Sequence, residues 1–479
     1  MITLNNVFFS YKGTEENSLR DVSLHIPRGQ CVLLCGPSGC GKTTLTRLLN
    51  GLIPDFFDGD FTGEAEVKGI NIAKADILQL SEVVGTVFQN PRTQFFNTDA
   101  DSEIVFGLEN RGLPTEQLVS RLEQVTEDLG LRDLRGRSIF ELSGGEKQKI
   151  AFASVYAAGP ELFVLDEPSS NLDYQSIKEL KRLIQKIKAQ GKTIVIAEHR
   201  IWYLMDIADR VILMENGQIT GDMNISEFNQ LAQIRQRKLR CRNLSEVKAE
   251  AAGAALGKHR FEVAGLSVKL GHKMVLRNIS FKAAGGEIIA ITGENGAGKT
   301  TLARVLCGLE QEEIGQIAFD GLTLSGKARR EKSYLVMQDV GHQLFTDSVD
   351  AECRLGIKKD KEPFIDRTLA ALSLAALKDR HPLSLSGGQK QRLAVAVSLL
   401  CGKEVLIFDE PTSGLDLNSM EEVGGLIKKL AAEHKIILIM THDIEFIKTI
   451  CSRVLILSQG EMAGELGGEE KDELEKYLK

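Results

Sequence analysis

Aromatic side chains are scarce in this chain. One tryptophan, six tyrosines and twenty phenylalanines make up 6% of 479 residues, which argues against a β-rich shell. Also missing is any apolar run near the ~18–20 residues that a membrane-spanning helix needs. The opening residues, MITLNNVFFS, show no basic stretch followed by an apolar one, so no leader is expected and the chain reads as cytosolic. Neither charge sign dominates: 59 Lys and Arg against 66 Asp and Glu leave a net charge of -7, with no global reason to expect nucleic acid. Eight cysteines lie scattered without a CxxC pair, as reduced thiols do, and Cys31, Cys35 and Cys307 fall in apolar runs expected to be core. With ~100–200 residues per domain, the length predicts two or three domains.

What the chain has in abundance is repetition. CGPSGCGKTT (35–44) returns as TGENGAGKTT (292–301), LSGGE (142–146) as LSGGQ (385–389), and LFVLDEPSSNLD (162–173) as VLIFDEPTSGLD (405–416). VIAEHR (195–200) and LIMTHD (438–443) then deliver His199 and His442. The offset between copies is 257 at Lys42 and Lys299, 249 at Gln89 and Gln338, and 243 from Ser143 and Ser386 onward. Residues are therefore lost only before the LSGG segment, where surface loops tolerate it. A repeat of this length is a duplicated domain. The predicted division is 1–222, a linker at 223–258, and 259–479. Five basic residues between Arg235 and Arg242 in that linker could touch acidic lipid or nucleic acid, but a solvated helix end is the preferred reading.

Short Val/Ile/Leu runs alternate with amphipathic segments in each half, which predicts a mostly parallel sheet covered by helices. CVLLCG and LFVLDE lack polar alternation and are expected to be strands buried on both faces. Gly36-Pro37-Ser38-Gly39-Cys40-Gly41-Lys42-Thr43, continued by Thr44, fits a phosphate-binding loop. So does Gly293-Glu294-Asn295-Gly296-Ala297-Gly298-Lys299-Thr300, continued by Thr301. Glycines let successive N–H groups point at phosphate oxygens, the lysine neutralises charge, and Thr43 or Thr300 can reach Mg²⁺. A Gly-rich turn would not explain the lysine twice. Asp166-Glu167 and Asp409-Glu410 end strands as carboxylate pairs, one to hold hydrated Mg²⁺ and one to orient or deprotonate water. Ser143-Gly144-Gly145 and Ser386-Gly387-Gly388 offer a hydroxyl and bare N–H groups to an anion, although in isolation each reads as a helix N-cap.

These motifs, in this order in both halves, resemble the ATP-binding cassette ATPases over roughly nine-tenths of the chain. The resemblance implies two tandem P-loop α/β domains, each a mostly parallel sheet with flanking helices and a helical signature subdomain. It also implies ATP hydrolysis with Mg²⁺ held by Thr43, Gln89 and Asp166 and by Thr300, Gln338 and Asp409. Glu167, Glu410, His199, His442, Gln89 and Gln338 would be catalytic. The halves would pair head to tail, so that Ser386 faces the nucleotide held by Lys42, and Ser143 the one held by Lys299.

Two departures stand out. Alternation along a strand predicts that Glu198 and Arg200 point away from His199, leaving intact the γ-phosphate contact that the resemblance implies for its ring, and that these neighbours serve a local contact specific to the first half. Tyr11 fills the place of the adenine-stacking aromatic in the first half, whereas alignment of SVKLGH puts Leu270 there in the second. The stretch FQNPRTQFFNTDADSEIVFGLEN (88–110) resembles the Q-loop and following helix of the ATPases of energy-coupling factor importers, which take up vitamins and transition-metal ions. MQDVGHQLFTDSV (337–349) is a looser copy. That branch implies a membrane-embedded coupling subunit, a separate substrate-binding membrane subunit, and a peripheral place on the cytoplasmic face of the membrane. A tandem sugar-importer ATPase is the alternative within the family. A soluble ribosome-associated two-cassette ATPase is the alternative outside transport, disfavoured because no long charged hairpin separates the halves.

Overall fold

Runs of aliphatic residues without polar alternation become the central strands, and each strand hands the chain to a helix or loop at its C-terminal end. The computed structural model describes all residues except 14–16, 233, 250–256, 358 and 479. It divides into two units, Met1–Asn243 and Leu244–Lys479, the division falling within 223–258.

The first unit runs β1 (Ile2–Tyr11), β2 (Leu19–Ile26), β3 (Cys31–Cys35), α1 (Lys42–Leu49), β4 (Gly59–Val67), β5 (Ile70–Asn71), α2 (Ile77–Val83), β6 (Val84–Val87), α3 (Ala100–Glu109), α4 (Thr115–Asp128), α5 (Gly144–Ala158), β7 (Leu162–Asp166), α6 (Tyr174–Ala189), β8 (Thr193–Ala197), β9 (Arg210–Glu215), β10 (Gln218–Asn224) and α7 (Ile225–Gln230). Its main sheet has the order β10-β9-β3-β8-β7-β6, parallel except for β10 against β9. A smaller sheet, β2-β1-β4-β5, is antiparallel.

Every residue of β3 and β7 is buried, as the missing alternation predicts. Cys31, Leu33 and Cys35 face one apolar cluster shared with α3 to α6; Val32 and Leu34 face another shared with α1 and the small sheet. Fully burying one such aliphatic side chain contributes roughly 1.5–3 kcal/mol. All eight cysteines are free, with Cys31 and Cys35 at 0% and Cys307 at 4% exposure.

The second unit repeats the plan with β11 (Arg260–Leu270), β12 (Lys273–Ala284), β13 (Ile288–Thr292), α8 (Lys299–Leu306), β14 (Ile314–Phe319), β15 (Leu322–Thr323), α9 (Gly326–Lys332), β16 (Ser333–Val336), α10 (Val349–Arg354), α11 (Ile365–Ala371), α12 (Gly387–Leu400), β17 (Val405–Asp409), α13 (Leu417–Ala432), β18 (Ile436–Met440), α14 (Ile444–Ile450), β19 (Arg453–Ser458) and β20 (Glu461–Gly467). The main sheet is β16-β17-β18-β13-β19-β20 and the small one β12-β11-β14-β15.

Strand register locates the lost residues. Ile2 pairs with Val67 and Phe261 with Phe319, an offset of 319 − 67 = 252, so 257 − 252 = 5 residues are missing between α8 and β14. Three more, 252 − 249, are lost before Gln338, and the six lost after it, 249 − 243, come from helices as well as loops: α3 and α4 have 10 and 14 residues, α10 and α11 only 6 and 7. The exposed outer face of α4 explains why shortening is tolerated there.

The predicted linker is more ordered than its composition suggests. β10 extends to Asn224, which caps α7 reciprocally with Glu227 at 2.9 and 3.0 Å, and Phe228 is fully buried. Six residues are too few for a 3.6-residue period to register. Of the basic residues, Arg235, Arg237 and Lys238 are exposed as expected of a solvated segment. Arg240 is instead buried, and Arg242 donates at 2.7 Å to the Phe228 and Asn229 carbonyls that end α7. The Ala/Gly-rich part, 250–256, lies outside the described residues.

Candidate functional site

In each unit the phosphate loop follows the fully buried β3 or β13 and opens α1 or α8. Gly36 (φ 155°) and Gly293 (φ 150°) have no alternative: a Cβ would lie 2.2 Å from the Met214 carbonyl oxygen in one and 1.9 Å from that of Leu457 in the other. Lys42 is buried and arches back so that Nζ donates to the Gly36 and Pro37 carbonyls at 2.8 and 3.0 Å. Lys299 does the same to Gly293 and Glu294 at 2.7 and 3.0 Å. Ser38 and Gly39 in one loop, and Glu294 and Gly296 in the other, are exposed, while Cys40 and Ala297 fill the inside. A ring of backbone with a buried ammonium at its centre can grip a phosphate chain.

The carboxylate pairs come to these loops from β7 and β17. Thr43 donates to Asp166 at 3.3 Å and Thr300 to Asp409 at 2.9 Å, so the hydroxyl and acid expected to share Mg²⁺ do meet. Burial first, then the neighbouring Glu167 carboxylate, pushes Asp166 up to about 6; Asp409 rises to about 6 by burial and Glu410. A hydroxyl and a carboxylate beside a phosphate loop fit Mg²⁺, which takes one or two protein oxygens and completes its shell with phosphate and water. No cluster of three His, Cys, Asp or Glu able to hold a metal occurs among the described residues.

Glu167 and Glu410 each sit just past the strand end at positive φ, 45° and 50°, a conformation that costs a non-glycine residue energy and that recurs in both units. Their side chains are held differently. Glu167 accepts from Gln89 Nε2 at 2.6 Å and lies 3.4 Å from His199 Nε2. Burial tends to raise this carboxyl, but His199, Lys42 and the Gln89 amide outweigh it and hold it below its usual value. Glu410 pairs with His442 Nδ1 at 2.8 Å and accepts from Thr441 Oγ1 at 3.2 Å. The other ring nitrogen, His442 Nε2, is buried with no hydrogen-bond partner among the described residues, as suits a group kept for a ligand. Gln338 follows β16 where Gln89 follows β6.

The expected local contact of Glu198 and Arg200 is present, but the strand alternation behind it needs correcting. β8 ends at Ala197, so His199 lies in a loop and strand alternation does not govern its neighbours. Both flanks are buried, at 2% and 5% exposure. Glu198 accepts from the His199 and Arg200 backbone N–H groups at 2.7 and 3.1 Å, from Tyr203 O–H at 3.0 Å and from the Ser169 N–H at 3.3 Å. Arg200 donates to the Ser169 and Leu172 carbonyls, both at 3.3 Å.

Thr441 and Asp443 hold the corresponding places in the second unit. Thr441 accepts from the Asp443 N–H at 3.1 Å, and Asp443 accepts from Thr412 at 3.0 Å while capping α14. Arginine cannot cap a helix because it has no acceptor, and the first unit accordingly has only the 3₁₀ turn Trp202–Leu204 where α14 stands. Tyr203 and Ser169 were not singled out in the sequence; the charged pair flanking His199 was their only signal.

Ser143 and Ser386 are N-caps, as the isolated reading had it. Each closes a reciprocal box, Ser143 with Glu146 at 3.3 and 2.7 Å and Ser386 with Gln389 at 3.4 and 2.9 Å, and Gly144, Gly145, Gly387 and Gly388 open α5 and α12. Glu and Gln serve this box equally. Glu146 also pairs with Arg137 at 2.8 Å.

Tyr11 ends β1 and Leu270 ends β11 at matching register, four residues past Val7 paired with Val22 and past Leu266 paired with Ile279. The Tyr11 hydroxyl lies 3.2 Å from Thr44 Oγ1 and accepts from Arg47 at 3.0 Å, and its ring meets Phe57 edge-on. Phe56 and Phe57 stand in the loop that is five residues shorter in the second unit, where CGLEQEEIG (307–315) has no aromatic and Thr301 has no tyrosine above it. Leu270 is 42% exposed.

Replacing Glu198 by Ala is expected to destabilise the first unit by about 3–5 kcal/mol, because a buried tyrosine hydroxyl and three backbone N–H groups lose their acceptor together. Glu198→Thr, which restores the local turn found in the second unit, recovers part of the loss. Calorimetric melting of the two variants measures this; a change under about 0.5 kcal/mol, the size usual at surfaces, would contradict the bond network.

A profile of the ABC transporter family matches residues 19–170 and 276–413. A putative ABC transporter ATP-binding protein of Treponema denticola is 72% identical over 486 aligned positions, covering 100% of this chain and 99% of that protein. The putative HMP/thiamine import ATP-binding protein YkoD of Bacillus subtilis is 32% identical, covering 95% of this chain and 90% of its own. Archaeal ABCE1, in a model of its ribosome-bound complex with Pelota, aligns with a TM-score of 0.70 over 96% of this chain and 78% of that one; its 22% identity makes this a likeness of fold. Matched once in each unit, the chain belongs to the ABC transporter family as a tandem ATPase.

Proposed function

We propose that this ATPase powers an energy-coupling factor type importer, driving uptake of a vitamin, a vitamin precursor or a transition-metal ion from the cytoplasmic face of the membrane. The observation that carries the reading is the loop after Gln89. Phe96 there is 75% exposed and stacks on Phe106 at 5.0 Å, and Phe345 in the second unit is 77% exposed at the matching position. An exposed ring next to a glutamine that touches the acid of the ATP site suits a membrane subunit that must feel the state of that site. The name of the Bacillus subtilis relative, a putative HMP/thiamine import ATP-binding protein, supports the same choice. No helix among the described residues is long and apolar enough to cross a membrane, so the proposal needs separate coupling and substrate-binding subunits. No observation favours the sugar-importer or ribosome readings.

At each site we assign Lys42 and Lys299 to the phosphates, and Thr43 with Asp166 and Thr300 with Asp409 to Mg²⁺, joined by Gln89 and Gln338. Mg²⁺ would screen phosphate charge and favour the ionised form of the raised aspartates. Glu167 and Glu410 orient and deprotonate water, and His199 and His442 hold those carboxylates in place.

Three measurements test this reading. Affinity purification of the tagged chain from detergent-solubilised membranes is expected to bring down hydrophobic membrane subunits; recovery with ribosomes instead would sink the importer assignment. Glu167→Gln with Glu410→Gln is expected to keep ATP bound while slowing turnover by about 10²–10⁴-fold; wild-type turnover would place the chemistry elsewhere. Tyr11→Ala is expected to weaken ATP at the Lys42 site by roughly tenfold, from a stacking contribution of about 1–3 kcal/mol. Calorimetry of Lys42→Ala against Lys299→Ala separates the sites, and equal affinities would mean that Leu270 is no deficit.

A further inference from the structure

Two side chains that the site itself does not use close the loop between β6 and α3, and both recur in the second unit. Gln94 accepts from the Phe88 N–H at 3.3 Å and donates to the Thr86 carbonyl at 3.3 Å. Gln343 accepts from the Met337 N–H at 2.7 Å and donates to the Leu335 carbonyl at 2.6 Å. A primary amide presents a carbonyl oxygen and an N–H donor side by side in one plane. Bonding a carbonyl and the N–H two residues later, it takes the place of one residue of a neighbouring parallel strand. β6 and β16 are edge strands, so this amide carries strand order past the last sheet residue, to the residue just before Gln89 or Gln338.

The loop's far end is tied to the following helix. Glu103, 2% exposed in the first turn of α3, accepts from the Phe96 and Asn97 N–H groups at 3.0 and 2.8 Å. Glu352, also 2% exposed, accepts from Phe345 N–H at 3.0 Å and Thr346 N–H at 2.9 Å. Phe95 packs on the core beside exposed Phe96, and Leu344 is buried beside exposed Phe345. The glutamine amide is thus the link between an end fixed by a buried carboxylate and an end carrying Gln89, which meets Glu167 at 2.6 Å, or Gln338 at the matching place in the second unit.

We propose that Gln94 and Gln343 are positioning residues that act through Gln89 and Gln338, making each loop a rigid lever so that displacement at Phe96 or Phe345 reaches the ATP-site carboxylate. The same two-bond clamp, built twice in units whose flanking sequences differ (PRTQFF against VGHQLF), carries the inference. It rests on the role assigned above to Gln89 and Gln338.

The test compares three full-length variants by steady-state ATP hydrolysis: Gln94→Leu with Gln343→Leu, Gln89→Ala with Gln338→Ala, and all four changes together. The clamp pair is expected to lower kcat about fivefold to tenfold, the scale of one or two lost hydrogen bonds that orient a reacting group, with KM for ATP held within about twofold. Because the clamp acts through Gln89 and Gln338, the fourfold variant is expected to be no slower than the Gln89/Gln338 pair within about twofold. Losses that multiply, a full kcat in the clamp pair, or a rise in KM alone would each overturn the proposal. So would a melting temperature that falls in step with activity, which would make the amides supports of the fold. An unchanged kcat in Gln89→Ala with Gln338→Ala would overturn the site reading itself, and the lever with it.

Discussion

A strand buried on both faces can carry an acid only where it ends. β7 and β17 hold four apolar residues each before Asp166 and Asp409, and the chain turns sharply at the next residue, a glutamate in left-handed conformation. Everything else at either site is arranged around that geometry. The phosphate loop reaches it through a threonine hydroxyl, the histidine through a loop from the neighbouring strand and, in the first unit, Gln89 from the sheet's edge. Because burial and mutual repulsion raise the aspartates to about 6, each site is an electrostatically unfavourable place that a dication relieves.

The two units reach this arrangement with different partners. Beside its histidine, Glu167 meets Gln89 and Glu410 meets Thr441. The residues flanking the histidine are an acid and a base in the first unit and a hydroxyl and an acid in the second, yet both sets tie the histidine loop to the segment that follows the glutamate. What is kept is the tie; the groups that make it have been exchanged as a set. The loop after the first helix differs more deeply, since Phe56 and Phe57, which cluster with Tyr11, have no aromatic counterpart in the shorter segment 307–315.

Much of this was legible in the sequence because it rests on local pattern. Unbroken apolar runs gave the central strands, and glycine spacing gave the phosphate loops. Register supports the pairing of Tyr11 with Leu270. What was not legible depends on where side chains turn after a strand stops. Alternation was applied to Glu198, His199 and Arg200, but β8 had already ended, so the charges proved to be buried and bonded inward. Helix α7 hid in a polar segment because six residues carry too little periodicity, and Gln94 hid because its partners lie six and eight residues back along a loop whose path no pattern encodes.

Glu198, Arg200, Ser169 and Tyr203 bear on how the two halves of this gene can evolve. Repeated sequences exchange segments by recombination, which tends to make copies alike. Here a short exchanged tract carrying THD into the first half would bury the aspartate that replaces Arg200 against the carbonyls of Ser169 and Leu172, and leave Tyr203 without its carboxylate. Such a tract is tolerable only if it is long enough to bring Thr412 and the α14 segment with it. The buried bonds thereby act as a barrier to homogenisation, and the halves are free to keep diverging.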